Sequence, residues 1–380
     1  MVAVAGVART TVTGFQPDQL AGFRIAVTSD RRSADLIDAF VRRGASVLHA
    51  PTLTIASAAQ DEALIADTAE VIRAAPDVLL ATTSYGMRRW FEAADSAGLG
   101  TALMGALAGS AVLVRGPKSL GSIRAAGLDD AGMSEQETTA SLVDLVLADY
   151  PAKLAIVVQL HGYTDERQLD RLRAAGHRVL TVAPYRWARP DHTDDRVARL
   201  IDALSARQLD CITFTSAPAV DALFGWAQAH GRYEDVIAAF ESQVLTAAVG
   251  PVTAAPLRAA GITPIQPERF RMGALIRLVC EKLEQDRVER IQTRHGALTL
   301  RGCLVELGGE RRILAPNALA LFRMLLGARG RVVSRAELAR SLPGNPDDHT
   351  LEVALSRLRH SLGAPGLVAT VVKRGYRLDT

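Results

Sequence analysis

The chain has 380 residues, 48% apolar and 22% charged, which fits two or three folded domains and excludes a disordered or fibrous protein. No run of about 18 apolar residues occurs, which argues against a membrane-spanning helix, and Cys211, Cys280 and Cys303 are too scattered for a metal motif. The net charge of +3 hides a split: residues 290–380 hold fifteen Lys/Arg and seven Asp/Glu, so this end carries +8 and the rest −5. A polyanionic partner is expected for the C-terminal end only.

Residues 1–20 lack a basic segment ahead of an apolar core and read as a flexible tail, not a signal peptide. With the cysteines as reduced thiols, a cytoplasmic protein is expected. From residue 21 to 283, apolar runs alternate with helical patterns: FRIAV, DVLLAT, AVLVRG, LAIVV, CITFT and VLTAAVG. Continuous apolar runs fit parallel strands buried on both faces. The intervening helices end at Gly, as helix C-caps commonly do. HAPTLTI and TVAPYRWARP read as strands crossing between two lobes.

This body repeats itself. GPKSLGSIRAAG from Gly116 returns as GPVTAAPLRAAG from Gly250, and PDVLLATTSYGMRRWF from Pro76 as LDCITFTSAPAVDALF from Leu209. RIAVTSDRRSADLIDAFVRRGASVLHAP from Arg24 is likewise matched by a stretch from Leu154. A spacing of about 130 residues indicates a duplicated half-domain, not a solenoid. The expected fold is therefore α/β and two-lobed, each lobe a doubly wound parallel sheet: lobe A from 21–50 and 189–283, lobe B from 56–182. The repeated loops fall where strands end and helices begin. There Ser84, Ser119, Thr215, Ser216 and Thr253 can cap helices, or face a ligand with several carboxylates.

The body resembles uroporphyrinogen-III synthase over residues 22–283, on TSD after the first strand, LDCITFTSAPAVDAL, AAVGPVTAAPLRAAGITP and APYRW. The resemblance implies a two-lobed fold whose cleft closes hydroxymethylbilane into a macrocycle without metal or cofactor. It places the family's cleft tyrosine on Tyr185, its two cleft threonines on Ser119 and Thr253, and its second Thr-Ser turn on Thr215 and Ser216. Ser119 stands for a threonine, the turn at TTSYGM lacks the usual proline, and RGPKSLGS departs from the commoner small-residue loop.

Residues 284–291 read as a charged linker. From Gln292 the pattern turns to short alternating strands with Gly turns, an antiparallel signature. A helix beginning at Pro316, a capping box at Ser334 and Glu337, a third helix ending at Gly363 and a basic β-hairpin follow. Leu351, Leu355, Leu358 and Leu362 form the third helix's core stripe, with Thr350, Ala354 and Arg357 on another face and His349 and Arg359 at its margins. This order is winged helix-turn-helix geometry, with Lys373 and Arg374 near phosphates. GRVVSRAEL, HTLEVALSRLRHSLG and KRGYRL resemble the OmpR/PhoB output domain of response regulators over residues 292–380. That resemblance implies DNA contacts by His349, Thr350, Arg357, Arg359, Thr370, Lys373, Arg374 and Tyr376. Two protomers are expected on tandem half-sites of double-stranded DNA, as a homodimer formed there. The whole chain reads as a transcriptional regulator whose synthase-like body senses a tetrapyrrole, with sirohaem-linked genes as targets. The alternative is an active uroporphyrinogen-III synthase with a DNA-binding tail.

Overall fold

The computed structural model describes residues 17–55, 61–162, 165–188, 194–242, 244–342, 344 and 346–380. Residues 1–16 of the expected tail lie outside these. Its end is packed: Leu20 is fully buried, and Gln19 Nε2 donates to Glu284 Oε2 at 2.8 Å. The chain divides into two compact units, Met1–Thr52 with Pro190–Thr380, and Leu53–Arg189.

The chain opens with β1 (Arg24–Val27), α1 (Ser33–Val41) and β2 (Ser46–His49). The Leu53–Arg189 unit follows: β3 (Thr54–Ile55), α2 (Asp61–Ala74), β4 (Val78–Ala81), α3 (Ser84–Ser96), α4 (Gly100–Leu107), β5 (Ala111–Val114), α5 (Pro117–Ala125), β6 (Asp130–Met133), α6 (Thr139–Asp149), β7 (Ala155–Gln159), α7 (Glu166–Ala174), β8 (Arg178–Val182) and β9 (Trp187–Ala188). Its five-stranded sheet runs β6-β5-β4-β7-β8, all parallel. β3 and β9, the expected crossing strands, pair antiparallel with each other.

The first unit resumes with α8 (Arg196–Ser205), β10 (Cys211–Phe214), α9 (Ala217–Ala229), α10 (Tyr233–Ser242), β11 (Leu245–Ala248), α11 (Pro251–Ala259) and α12 (Met272–Arg287). Its sheet, β11-β10-β1-β2, is also parallel. Side chains alternate across these strands, so one strand feeds two cores. In the first unit Ala26, Ile212 and Phe214 pack against α8–α11, and Ile25, Val27 and Cys211 against α1 and α12. In the second, Leu79, Val112 and Val157 face one layer, and Val78, Leu113 and Ile156 the other. That is why the strand sequences are uniformly apolar. Each fully buried aliphatic side chain contributes about 1.5–3 kcal/mol, and a polar residue at either Ile25 or Ala26 would spoil one layer.

The C-terminal region comprises β12 (Val288–Thr293), β13 (Gly296–Arg301), β14 (Leu304–Leu307), β15 (Glu310–Ile313), α13 (Pro316–Gly327), α14 (Arg335–Arg340), α15 (Asp348–Leu362), β16 (Val368–Val371) and β17 (Gly375–Leu378). β12–β15 form an antiparallel meander and β16–β17 a hairpin. A separate core joins Leu321, Phe322 and Leu325 of α13 to Leu351, Leu355 and Leu358 of α15 and to Tyr376. Gly375, at φ 136°, lets the hairpin cross the chain at Val333: a Cβ there would lie 2.0 Å from the Val333 carbonyl oxygen.

The expected linker at 284–291 is not one. α12 continues to Arg287 and passes directly into β12. The C-terminal region also rests on the first sheet. The Cys303 N–H donates to the Gly22 carbonyl at 2.9 Å, and Arg323 Nη2 lies 3.2 Å from both Asp210 Oδ1 and the Gly302 carbonyl. Gly22, at φ 88°, approaches so closely that a Cβ would stand 2.3 Å from the Arg301 carbonyl oxygen.

Candidate functional site

Three surfaces hold the residues singled out from the sequence. The first is the carboxyl edge of the five-stranded sheet. Gln159 closes β7 fully buried, and its Oε1 accepts the N–H groups of Thr82 and Thr83 at 3.1 and 2.8 Å. That bond shapes the β4–α3 turn. Thr83, not Ser84, is the N-cap of α3, its Oγ1 accepting from Gly86 N at 3.1 Å. Ser84 is the first helical residue and hydrogen-bonds Ser122 on α5. Tyr185 is buried, 5.0 Å edge-on from Tyr85, with its hydroxyl 3.5 Å from Thr83 Oγ1. Ser119 is also buried, two residues inside α5. The structure therefore brings Tyr185 and the β4–α3 turn together. The duplication frame explains the shift from Ser84: Thr82 and Thr83 match Thr215 and Ser216.

Two residues here were not singled out from the sequence, Arg115 directly after β5 and His161 just beyond β7. Burial pulls the Arg115 guanidinium below the usual arginine range, with the Tyr185 hydroxyl and Glu137 carboxylate opposing it. Burial and then the Arg115 charge hold His161 near 4, so it is neutral at pH 7. The available signal was a basic residue directly after an apolar strand, in LVRG.

The second surface is the carboxyl edge of the four-stranded sheet. Ser216 is the N-cap of α9 but makes no side-chain cap bond, and Gly250 occupies the N-cap of α11. Thr253 is buried two residues inside α11, the position Ser119 holds in α5. At none of the four turns does a hydroxyl singled out from the sequence make the cap bond; only Thr83, beside Ser84, does so. All three cysteine thiols are pushed up by burial, Cys280 to about 11, so none supplies a thiolate near neutral pH.

The third surface is the C-terminal region. Ser334 and Glu337 form the expected capping box, and Asp347 caps α15 by accepting from Thr350 N at 2.8 Å. His349, Thr350 and Arg357 are exposed on α15, and Lys373 and Arg374 at the hairpin tip. Val353, 38% exposed, shares the Thr350–Arg357 stripe, whereas Ala354 packs partly against the core. The exposed face is thus turned one residue from the one expected, as i, i+3, i+7 spacing from Thr350 would have indicated. Tyr376 corrects an expectation: it is 1% exposed, and its hydroxyl donates to Glu352 at 2.5 Å. Arg335 pairs with the same carboxylate at 2.8 Å, while Arg359 bonds the Val368 carbonyl and Thr370 Oγ1. Tyr376 cannot touch DNA from there; it ties the wing to α15. Arg359 and Thr370 are partly engaged in the same tie.

A family profile described as uroporphyrinogen-III synthase HemD matches residues 34–277, well over half the chain. The chain belongs to the uroporphyrinogen-III synthase family. A profile described as the C-terminal domain of transcriptional regulatory proteins matches residues 309–378. A uroporphyrinogen III synthase variant from Thermus thermophilus superimposes with a TM-score of 0.58 at 28% identity, over 70% of this chain and 100% of that one. The uncharacterized protein YjjA of Bacillus subtilis is 29% identical over 259 residues, 68% of this chain and 94% of that protein. The response regulator protein PmrA of Pseudomonas aeruginosa is 39% identical over 90 residues, 22% of this chain and 40% of that protein. This uroporphyrinogen-III synthase family member thus carries a winged-helix DNA-binding domain of the transcriptional-regulator type. Among the described residues, no helix is long and apolar enough to cross a membrane and no His/Cys/Asp/Glu group is arranged to hold a metal.

Proposed function

We propose that this chain is a transcriptional regulator in which the synthase-family body senses a carboxylate-rich tetrapyrrole and sets the DNA affinity of the winged helix. The observation carrying this reading is the join between them. α12, packed on the first sheet, runs without a break into β12, and Arg323 beside α13's core face grips Asp210 at the foot of β10. A sensor needs such a contact, because a ligand shifts an output only through a difference in affinity between two states. A tenfold change in DNA affinity corresponds to about 1.4 kcal/mol of coupling, well within what a few hydrogen bonds carry.

On DNA, Arg357 reads base edges, Val353 offers an apolar contact to a thymine methyl, and His349, Lys373 and Arg374 hold phosphates. One module of this size buries little DNA, so two protomers occupy tandem half-sites about one helical turn apart. Sirohaem-linked genes are proposed targets on metabolic grounds, since uroporphyrinogen III is the sirohaem precursor.

Retention of Tyr185, Ser119 and Thr253 as buried groups at the sheet ends favours a second reading, an active uroporphyrinogen-III synthase with a DNA-binding tail. One experiment separates the two. The purified chain is titrated with hydroxymethylbilane and with uroporphyrinogen III, following heat of binding, product and operator affinity together. Binding that alters operator affinity without turnover supports the sensor. Turnover with unchanged operator affinity supports the enzyme.

A further inference from the structure

The tip of the β16–β17 hairpin is formed by Val372, Lys373 and Arg374. Arg374 N donates to the Val371 carbonyl at 2.9 Å and closes a turn around Val372 and Lys373. Lys373 sits at φ 61°, a conformation that favours Gly or Asn. Val372 is 78% exposed, more than any other large apolar side chain among the described residues. A lone exposed valine on a flat surface is ordinary. At a turn it is not, because turns favour Gly, Asn, Asp and Pro, and a β-branched side chain there neither packs nor hydrogen-bonds. The fold of the hairpin does not call for this residue.

The base of the hairpin is held from two sides. Val333 and Tyr376 exchange backbone hydrogen bonds at 2.8 and 2.9 Å. The Tyr376 hydroxyl donates to Glu352 on α15, and Arg359 of the same helix donates from Nη2 to Thr370 Oγ1 at 2.7 Å. The tip is therefore carried by α15 at a fixed offset. Lys373 and Arg374 put two cations beside Val372, in a region whose net charge is +8. With α15 in the major groove, a hairpin fixed beside that helix reaches across one sugar-phosphate strand to the adjoining minor groove. Lys373 and Arg374 then meet phosphates at the mouth of that groove, and Val372 is left for its floor.

We propose that Val372 is a specificity-determining residue, which lies on the minor-groove floor and accepts A·T or T·A beneath it but not G·C. This rests on the winged helix being the DNA-binding part of the regulator and goes beyond the contacts assigned to it above. The minor groove over A·T shows acceptors at its sides and the apolar C2–H of adenine between them, whereas G·C places the guanine N2 amino donor there. Valine has no acceptor for that donor. Covering the amino group strips it of water and leaves it unpaired, and the group also stands up where the valine methyls would rest. The readout is thus apolar and independent of which strand carries the adenine. An A-rich stretch strengthens it, because its narrow groove has a more negative potential for Lys373 and Arg374.

The test uses the full chain. A random duplex library is enriched on the wild type, and the enriched site is resynthesised with its A·T pairs replaced one at a time by 2,6-diaminopurine·T. That base adds the minor-groove amino group and leaves the major-groove face of the pair as it was. Fluorescence anisotropy over a salt series gives affinity and salt slope. One position per half-site should lose about tenfold in affinity on the substitution, within the usual cost of a wrong base pair. V372I should keep that loss. V372S should bind the A·T and diaminopurine duplexes within about twofold of each other at an unchanged salt slope, whereas K373A should lower the slope by about one. A wild type indifferent to diaminopurine at every position overturns the Val372 contact and leaves the DNA-binding reading standing. The same loss in V372S as in the wild type assigns the readout to another residue and also overturns it, as does a changed salt slope in V372S. Enrichment of no duplex by the wild type overturns the DNA-binding reading itself.

Discussion

Asp77 and Asp210 are the same residue written twice. Each precedes a central strand and each accepts a backbone N–H from the start of the neighbouring strand, Ala155 N to Asp77 at 2.7 Å and Arg24 N to Asp210 at 2.9 Å. Asp77 is left with that one job. Asp210 has been covered by the C-terminal domain: Arg323 reaches it at 3.2 Å, and burial raises its pKa despite the Arg24 N–H and the Arg323 charge. At the opposite edges the divergence runs the other way: Arg115 and His161 in one copy stand at the positions of Val249 and Asp30 in the other. Both copies keep the strand-pairing aspartate, and only the second carries the C-terminal domain against it.

The largest test of this comparison is at the covered edge. Gly22→Val puts a branched side chain at φ 88° against the Arg301 carbonyl, and about 3 kcal/mol of destabilisation is expected from strain and overpacking together. Thermal melts of the full chain measure it; an unchanged melt would mean that the two domains do not rest on each other as described. Asp210→Ala should cost about 2–3 kcal/mol, because it strands the Arg323 guanidinium and an N–H together, while Asp77→Ala should cost only about 1 kcal/mol. Equal losses in chemical denaturation would erase the distinction between the two copies.

A second contrast is between the DNA face and its brace. Arg357→Ala should weaken operator binding by about 1–3 kcal/mol and relax specificity, whereas Lys373→Ala should weaken all sequences alike and lower the salt slope by about one. Electrophoretic shifts over a salt series separate them, and operator binding unchanged in both would contradict the assigned face.

The pH test concerns the basic edge. The folded His161 titrates near 4 against an ordinary value near 6.5. A depressed folded pKa contributes stability that is complete above about pH 6.5 and is lost as pH falls toward 4. His161→Gln should flatten that part of the stability profile. The smallest expected effect is at the helix caps. Thr83→Ala should cost about 1 kcal/mol and Ser216→Ala almost nothing, since only Thr83 makes the cap bond. Matching melts for the two variants would show the turns to be equivalent after all.

Strands and helices were legible because their signals are short-range. Apolar runs at DVLLAT and CITFT, Gly after RAAG, Pro316 at a helix start and the Ser334–Glu337 box each depend on residues within one turn of each other. The duplication was legible for the same reason, since it is a repeated string. What the sequence by itself could not determine were relations between residues far apart in the chain. Tyr376 lies in a basic hairpin and reads as a DNA contact, but Glu352 and Arg359, on another element, take its hydroxyl and its ring face. Residues 284–291 are charged and read as a linker, but α12 and β12 absorb them once the first sheet and the meander are in place. Arg115, directly after β5, reads as an ordinary solvated arginine, but it is half-buried and burial lowers its pKa. Local pattern fixes which face of an element is apolar, because that follows from backbone period alone. Which polar group ends up desolvated, and against what, depends on long-range packing, and only the tertiary structure decides it.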